Sequence, residues 1–293
     1  MTPNTDRSES VTIFDKQSSL NRSTSGQWHL YASHRRELER LLVPTSPGGR
    51  ICVLGAGNCN DLDLRWLTQV YREVQLVDID PEALSRGAKF QKVDQSDRLR
   101  LRGSIDLTGL ADRLGKWKQA LPSVDGIQTS LQLAATPTAK LAGELGGPFD
   151  VILSPCVLSQ LLMPLHDSIG GAHPAFGPML AAMRARHFRL MVDLLSPGGR
   201  GVFACDLLSS VALRDLARVP KEQLAGVMQK MLVAGKCFSG LEPAAITRFL
   251  TRDPIVSPQV ERVQTGPPWL WHLGLNKTYA VYAVTFHKRA SGR

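Results

Sequence analysis

The sequence predicts an α/β fold, a mostly parallel sheet of seven strands between helical layers, and three segments predict it. The first is Arg50–Glu82, RICVLGAGNCNDLDLRWLTQVYREVQLVDIDPE. An apolar run (Ile51, Cys52, Val53, Leu54) breaks at Gly55-Ala56-Gly57, a helical pattern follows, and a second apolar run ends in Asp78 and Asp80. Strand, glycine turn, helix and strand, with an acid about 20 residues past the glycines, is an arrangement suited to a ligand carrying a nucleoside. The second segment is Phe149–Ser154, FDVILS, and the third Leu194–Phe203, LLSPGGRGVF, each reading as a strand with its turn.

The remaining elements follow in order. Residues 1–25, rich in Ser, Thr and Asn, are expected to be a disordered tail, leaving 26–290 as one domain. Trp28–Val43 is expected to be helical, with Leu30, Leu38, Leu41 and Leu42 as its apolar stripe, ended by Pro44 and Pro47-Gly48-Gly49. Strands are expected at Arg50–Leu54, Val74–Val77, Leu99–Arg102, Val151–Leu153 and Gly201–Cys205. Helices are expected at Leu62–Val70, from Pro81, and at Phe176–Leu195, Lys221–Val233 and Pro243–Leu250, with Pro81 at the first helical position. Residues 107–148 and 162–175 are long for connections and read as insertions, with a helix expected at Leu107–Leu121 and Pro, Gly and Thr interruptions over 122–147. Trp269–Leu275 and Thr278–His287 read as an antiparallel hairpin around Asn276-Lys277. Its second strand is apolar on both faces, which places it inside the sheet.

Composition excludes several classes. At 293 residues and 43% apolar the chain can bury a substantial core. No apolar run approaches the roughly 20 residues that span a bilayer, so no membrane association is expected. The N-terminal stretch has no apolar centre resembling a secretory signal. Five scattered cysteines (Cys52, Cys59, Cys156, Cys205, Cys237) form no C-x-x-C pair, which favours reduced thiols in a cytoplasm and no metal site. A net charge of +9 invites a nucleic-acid reading. The densest basic region, Arg86–Arg102, reads instead as a solvated face, and 6% aromatic content offers little for base stacking.

The residues around the glycines narrow the ligand. Gly55 and Gly57 allow a sharp turn and a close backbone approach. A dinucleotide site wants a third glycine where this chain has Asn60, and Asp61 and Asp63 follow in the first helical turn. Two carboxylates there would repel a pyrophosphate but suit a sulfonium and an ammonium. Arg50–Glu82 resembles the first motif and acidic loop of class I S-adenosylmethionine-dependent methyltransferases. Phe149–Ser154 is similar to that family's fourth strand, and Leu194–Phe203 to its approach to the fifth. The three segments lie in order over about residues 48–206.

The resemblance implies a Rossmann-like three-layer α/β/α sandwich, its last strand inserted antiparallel between strands five and six. It implies S-adenosyl-L-methionine as cofactor and methyl transfer by in-line displacement. Gly55, Ala56, Gly57 and Asn58 would contact the methionine part, Asp78 the ribose hydroxyls and Ile79 the adenine face. Asp80 is a second candidate for the ribose, although Asp80-Pro81 also reads as a helix cap. Ser104, Ile105 and Asp106 follow strand three, where adenine is read; the choice between Ser104 and Asp106 stays open. Ser154 follows strand four near the transferred methyl. One departure is Val53, where the family often has an acid that helps hold the ammonium; Asp61 or a main-chain carbonyl would serve instead.

On the acceptor side His166 is the candidate general base, oriented by Asp167 or another acid, and His173 is a candidate for binding the acceptor; both histidines also read as solvated loop residues. Trp28, His29, Tyr31 and His34 would either close over the acceptor or pack on the sheet edge. Trp269 and Trp271 read as core. Pro155-Cys156 faintly resembles the nucleophile dipeptide of cytosine-5 methyltransferases, out of register. The expected acceptor is a small molecule. Alternatives are an RNA or protein methyltransferase using the basic charge, a catalytically silent nucleotide-binding module, and an NAD-dependent oxidoreductase, against which Asn60, Asp61 and Asp63 speak.

Overall fold

The computed structural model describes residues 13–44, 48–117, 121–237, 240–274 and 277–290. The chain begins with α1 (Ile13–Thr24), α2 (Ala32–Leu42), β1 (Arg50–Leu54), α3 (Leu64–Val70), β2 (Glu73–Val77), α4 (Pro81–Phe90) and β3 (Leu99–Arg102). Next come α5 (Ala111–Trp117), α6 (Val124–Ala135), α7 (Ala139–Glu144), β4 (Phe149–Pro155), α8 (Val157–Ile169), α9 (Phe176–Leu194) and β5 (Leu195–Ser209). The last elements are α10 (Lys221–Val233), α11 (Pro243–Arg252), β6 (Val260–Thr265), β7 (Trp269–His272) and β8 (Thr278–Lys288).

These strands form one sheet in the order β3-β2-β1-β4-β5-β8-β6, with β7 also paired to β8. Strands β1 to β5 are parallel. β8 runs antiparallel between β5 and β6, as the resemblance implied for the final strand. The count is eight, not seven, because β8 is 11 residues long and two short strands share one of its edges. β7 pairs with Thr278–Val281, and β6 with the half beyond Val284.

Side-chain alternation sends successive residues to opposite faces. Ile51 and Val53 of β1 join a core with α2, α3, α4, Trp269 and Trp271. Cys52 and Leu54 join the larger core with α5, α8, α9 and α11. β1 is thus apolar on both faces because helices cover both. Strand order reverses between β1 and β4, so the connections that leave the carboxyl ends of these two strands run to opposite sides.

Four expectations need correction. The tail expected over 1–25 is a helix from Ile13 to Thr24; residues 1–12, like Asn276 at the hairpin turn, lie outside the described residues. Its composition would not hold an isolated helix, but Ser18 and Asn21 are buried against the rest of the chain, and that contact orders it. Trp28–Tyr31 is a 3-10 turn ahead of α2 rather than the start of one helix. The insertion expected at 162–175 is mostly the second half of α8, and 107–148 holds α5, α6 and α7. β5 runs to Ser209, well past Cys205, because β8 pairs with it throughout that length. No helix among the described residues is long and apolar enough to cross a membrane.

Candidate functional site

β1 ends in the glycine turn, where the N–H groups of Gly55 and Ala56 both donate to the Val77 carbonyl, at 2.8 and 3.1 Å. Gly55 has φ +74°, and a Cβ there would stand 2.2 Å from Val157 Cγ2 at the start of α8. Across the turn, a Cβ on Gly87 of α4 would stand 2.5 Å from the Asn58 carbonyl. The turn is therefore clasped between two helices that approach only because glycine leaves room.

Asp78 lies just past β2 and is 5% exposed. Its Oδ2 accepts the Gly57 N–H at 2.8 Å and its Oδ1 the Asp80 N–H at 2.9 Å. Burial pushes this carboxyl above the usual range, and the neighbouring Asp80 adds to the shift, while the main-chain N–H groups oppose it. Each oxygen keeps acceptor capacity for a further donor. Asp80 serves the helix instead, its Oδ1 capping α4 by accepting from Glu82 and Ala83 N–H, at 3.0 and 3.1 Å. Its Oδ2 accepts from Asn21 of α1 at 3.1 Å. Asn58 and Asn60 donate in turn to Thr24 Oγ1 and Thr24 O, at 3.1 and 2.9 Å, so α1 is tied across the turn.

A cleft of about 820 Å³ opens from the glycine turn over the carboxyl ends of β4 and β5. Gly55, Ala56, Gly57, Asn58, Asp61 and Asp78 line it on one side. Pro155, Cys156, Ser159, Asp206, Trp271 and Tyr279 line it on the other. A narrow, mostly apolar extension runs on past Asp78 between Ile79, Ile105, Leu107 and Val157. The two spaces share Gln17, Gly55, Asp78 and Gln160, so α1 roofs both.

The carboxylates carry the electrostatics. Burial pushes Asp61 up to about 7, with Asp78 nearby, whereas Arg35 pulls it down. Arg35 itself donates to the Trp28 and Asn60 carbonyls and lies 3.5 Å from the Trp28 ring centre. Burial likewise pushes Asp206 up to about 6, opposed by the Ser159 hydroxyl that donates to it and by Lys277. Among the described residues neither carboxylate forms an ion pair. The Cys156 thiol also lines the cleft, but burial, Asp206 and Cys205 drive it well above its ordinary value. A thiol held protonated in this way is the opposite of an activated nucleophile.

The other sequence-derived residues fall into two groups. Tyr31, Ile79, Ile105 and Asp106 line the joined spaces. Asp106 also caps α5, accepting from the Thr108 and Ala111 N–H groups at 2.8 and 2.9 Å. Outside the lining lie Ser104, exposed at φ +60°, and Ser154, buried beneath the sheet with its Oγ 2.8 Å from His187 Nε2. Trp28 is outside too, its indole N–H donating to the Leu62 carbonyl at 3.3 Å. His173 Nδ1 accepts the Ala175 N–H at 3.1 Å ahead of α9. His166 is exposed, because Leu158, Leu162, Leu165 and Ile169 claim the buried face of α8 and turn it outward. Asp167 pairs with Lys16 of α1 at 2.9 Å rather than orienting His166.

Sequence reasoning missed Asp206, Ser159, Lys277, Tyr279 and all of α1. Asp206 had a legible signal, since an acid directly after the apolar run Gly201–Cys205 stands at the carboxyl end of a strand.

No protein-family model and no curated protein matches the chain. Among solved structures it is similar to an O-methyltransferase family protein from Burkholderia thailandensis, 13% identical, with a TM-score of 0.49, over 95% of this chain and 61% of that one. It is also similar to TrmN from Thermus thermophilus, 13% identical, with a TM-score of 0.43, over 90% of this chain and 53% of that one. A third is an rRNA methylase from Streptococcus thermophilus, 10% identical, with a TM-score of 0.36, over 83% and 89% of the two chains. The chain thus spans little more than half the length of the first two.

Proposed function

We propose that the chain is a class I S-adenosylmethionine-dependent methyltransferase acting on a small-molecule acceptor. One observation carries this reading: a single cleft at the switch point of the sheet runs from an apolar slot beyond Asp78, past the glycine turn, to the ends of β4 and β5, and carboxylates rather than cations face that turn. A pyrophosphate would meet Asp61 and Asp78 there; a sulfonium and an ammonium suit them.

The roles follow from position. Asp78 takes the ribose hydroxyls with its remaining acceptor capacity, and Ile79 and Ile105 sandwich the adenine in the slot. Asp61 holds the ammonium, since Val53 is buried and apolar. When bound, S-adenosylmethionine supplies an already activated methyl group, so the chain itself has only to position the acceptor in line and exclude water. His166 is not proposed as a base. The basic residues of Arg86–Arg102 favour no nucleic-acid surface, because several engage the protein's own oxygens: Arg98 the Thr68 carbonyl at 2.9 Å, Arg100 the Asp97 carbonyl at 2.6 Å. All five cysteines are free, which supports a reducing compartment such as the cytoplasm.

Calorimetry with S-adenosylmethionine, S-adenosylhomocysteine and NAD tests the reading. Binding of the first two and not of NAD is expected; the reverse overturns it.

A further inference from the structure

We infer that the acceptor is a basic nitrogen carried on an apolar body, and that Asp206 is the group that receives it. This rests on the methyl-transfer reading and names its substrate class. Three independent features of the cleft converge on a cation with an apolar body.

The first is an aromatic wall. Tyr31 and Trp271 lie 4.9 Å apart between ring centres, Trp271 and Tyr279 5.4 Å, and all three line the cleft. The rings are tilted to one another and His34 stacks on one face of Trp271; what they leave towards the cleft attracts a cation through the ring quadrupoles and covers an apolar body. The second is charge. Asp206, half-buried within the last part of β5, accepts the Ser159 hydroxyl, which fixes its orientation and leaves acceptor positions open to the cleft. With Asp61 assigned to the cofactor's ammonium, Asp206 is the carboxylate that remains on the acceptor side. The lysines of the lining, Lys236 and Lys277, are both exposed, so the depth of the cleft is acidic and its edge basic. The third is the rim. Leu20, Met163 and Val211 border the opening at 58, 43 and 90% exposure, an apolar approach unusual for side chains with no cover of their own.

The transfer balances. Asp206 accepts one proton from the bound ammonium and frees its lone pair. The nitrogen–carbon bond then forms as the methyl–sulfur bond breaks, and the electron pair of that bond passes to sulfur. A neutral thioether and a methylated ammonium result, and Asp206 releases the proton to solvent through the open mouth. Because burial already holds Asp206 near 6, the carboxylate can both take and return a proton near neutrality.

Matched amine and alcohol probes test this: tryptamine against tryptophol, and phenethylamine against 2-phenylethanol, each titrated by calorimetry with S-adenosylhomocysteine present. At least one amine is expected to bind about tenfold more tightly than its alcohol. Asp206→Asn, which keeps an acceptor for Ser159, is expected to erase most of that preference while its affinity for S-adenosylhomocysteine stays at the wild-type value and its melting temperature does not fall. Absence of an amine preference in both pairs, or its persistence in Asp206→Asn, overturns the inference. An amine preference that depends on Asp206 in a protein that binds no S-adenosylhomocysteine would sink the cofactor reading and leave the amine site standing.

Discussion

The Asp78 carboxylate accepts the main-chain N–H of Gly57 at 2.8 Å, so the acid after β2 braces the turn after β1. Its second oxygen accepts the Asp80 N–H, and the same carboxylate remains open to the cleft. One side chain therefore shapes the turn and presents acceptor oxygens to the cleft.

Asp78→Ala leaves two main-chain donors without acceptors and removes the proposed ribose ligand. S-adenosylhomocysteine affinity is expected to fall by about tenfold or more, with on the order of 1–3 kcal/mol of stability lost. Asp78→Asn, with one acceptor oxygen, should fall between. Calorimetry and thermal melts read both effects, and unchanged affinity in the alanine variant would sink the ribose assignment.

Asp61 predicts a pH dependence. Burial raises its carboxyl from 3.8 to about 7, so the folded chain keeps a proton that the unfolded chain releases above pH 4. The unfolded state then binds fewer protons, and Asp61's contribution is greatest below pH 4 and declines as pH rises to about 7. In the ligand-free protein Asp61→Asn should raise the melting temperature by about 2–4 °C at pH 8, a gap that closes towards pH 4. The same variant should bind S-adenosylhomocysteine more weakly. A gap that stays constant across pH would contradict the assignment.

Gly55→Ala places a methyl group 2.2 Å from Val157 Cγ2 at a φ of +74°. Overpacking of this kind costs about 1–3 kcal/mol, and the left-handed backbone adds about 1–2 kcal/mol. Adding Val157→Ala should recover only a share of the packing part, because Val157 Cβ still stands 2.7 Å from the new methyl group, and should leave the backbone part. Full recovery in the double variant, measured by denaturant melts, would mean the backbone conformation carries no strain.

Ser154→Ala separates structure from site. Ser154 and His187 are buried as a pair, and His187 Nδ1 has no partner among the described residues. Losing the hydroxyl strands Nε2 as well, at a cost of about 1–3 kcal/mol. The melting temperature should drop by several degrees with cofactor affinity unchanged. A tenfold affinity loss at constant stability would return Ser154 to the cleft.

Much of the glycine-turn side of the cleft was legible. Ile51–Leu54, the glycines and Asp78 stand close to one another in sequence, and local geometry alone places them at neighbouring strand ends. The opposite wall was not. His166 and Asp167 looked paired because they are adjacent, yet the spacing of Leu158, Leu162, Leu165 and Ile169 turns that part of α8 outward. Asp206, Tyr31 and Trp271 are far apart in sequence, so only the sheet order brings them together.

The sequence by itself determined the parallel α/β sheet, the buried final strand and the acidic glycine turn, because alternation, turn chemistry and strand-end acids act over a few residues. Tertiary structure alone decided that α1 roofs the cleft, that β7 adds an eighth strand, and that Asp61 and Asp206 are half-buried in the cleft wall with no ion pair among the described residues. Those outcomes depend on which distant surfaces meet, and burial, which shifts both carboxyls, exists only once they have met.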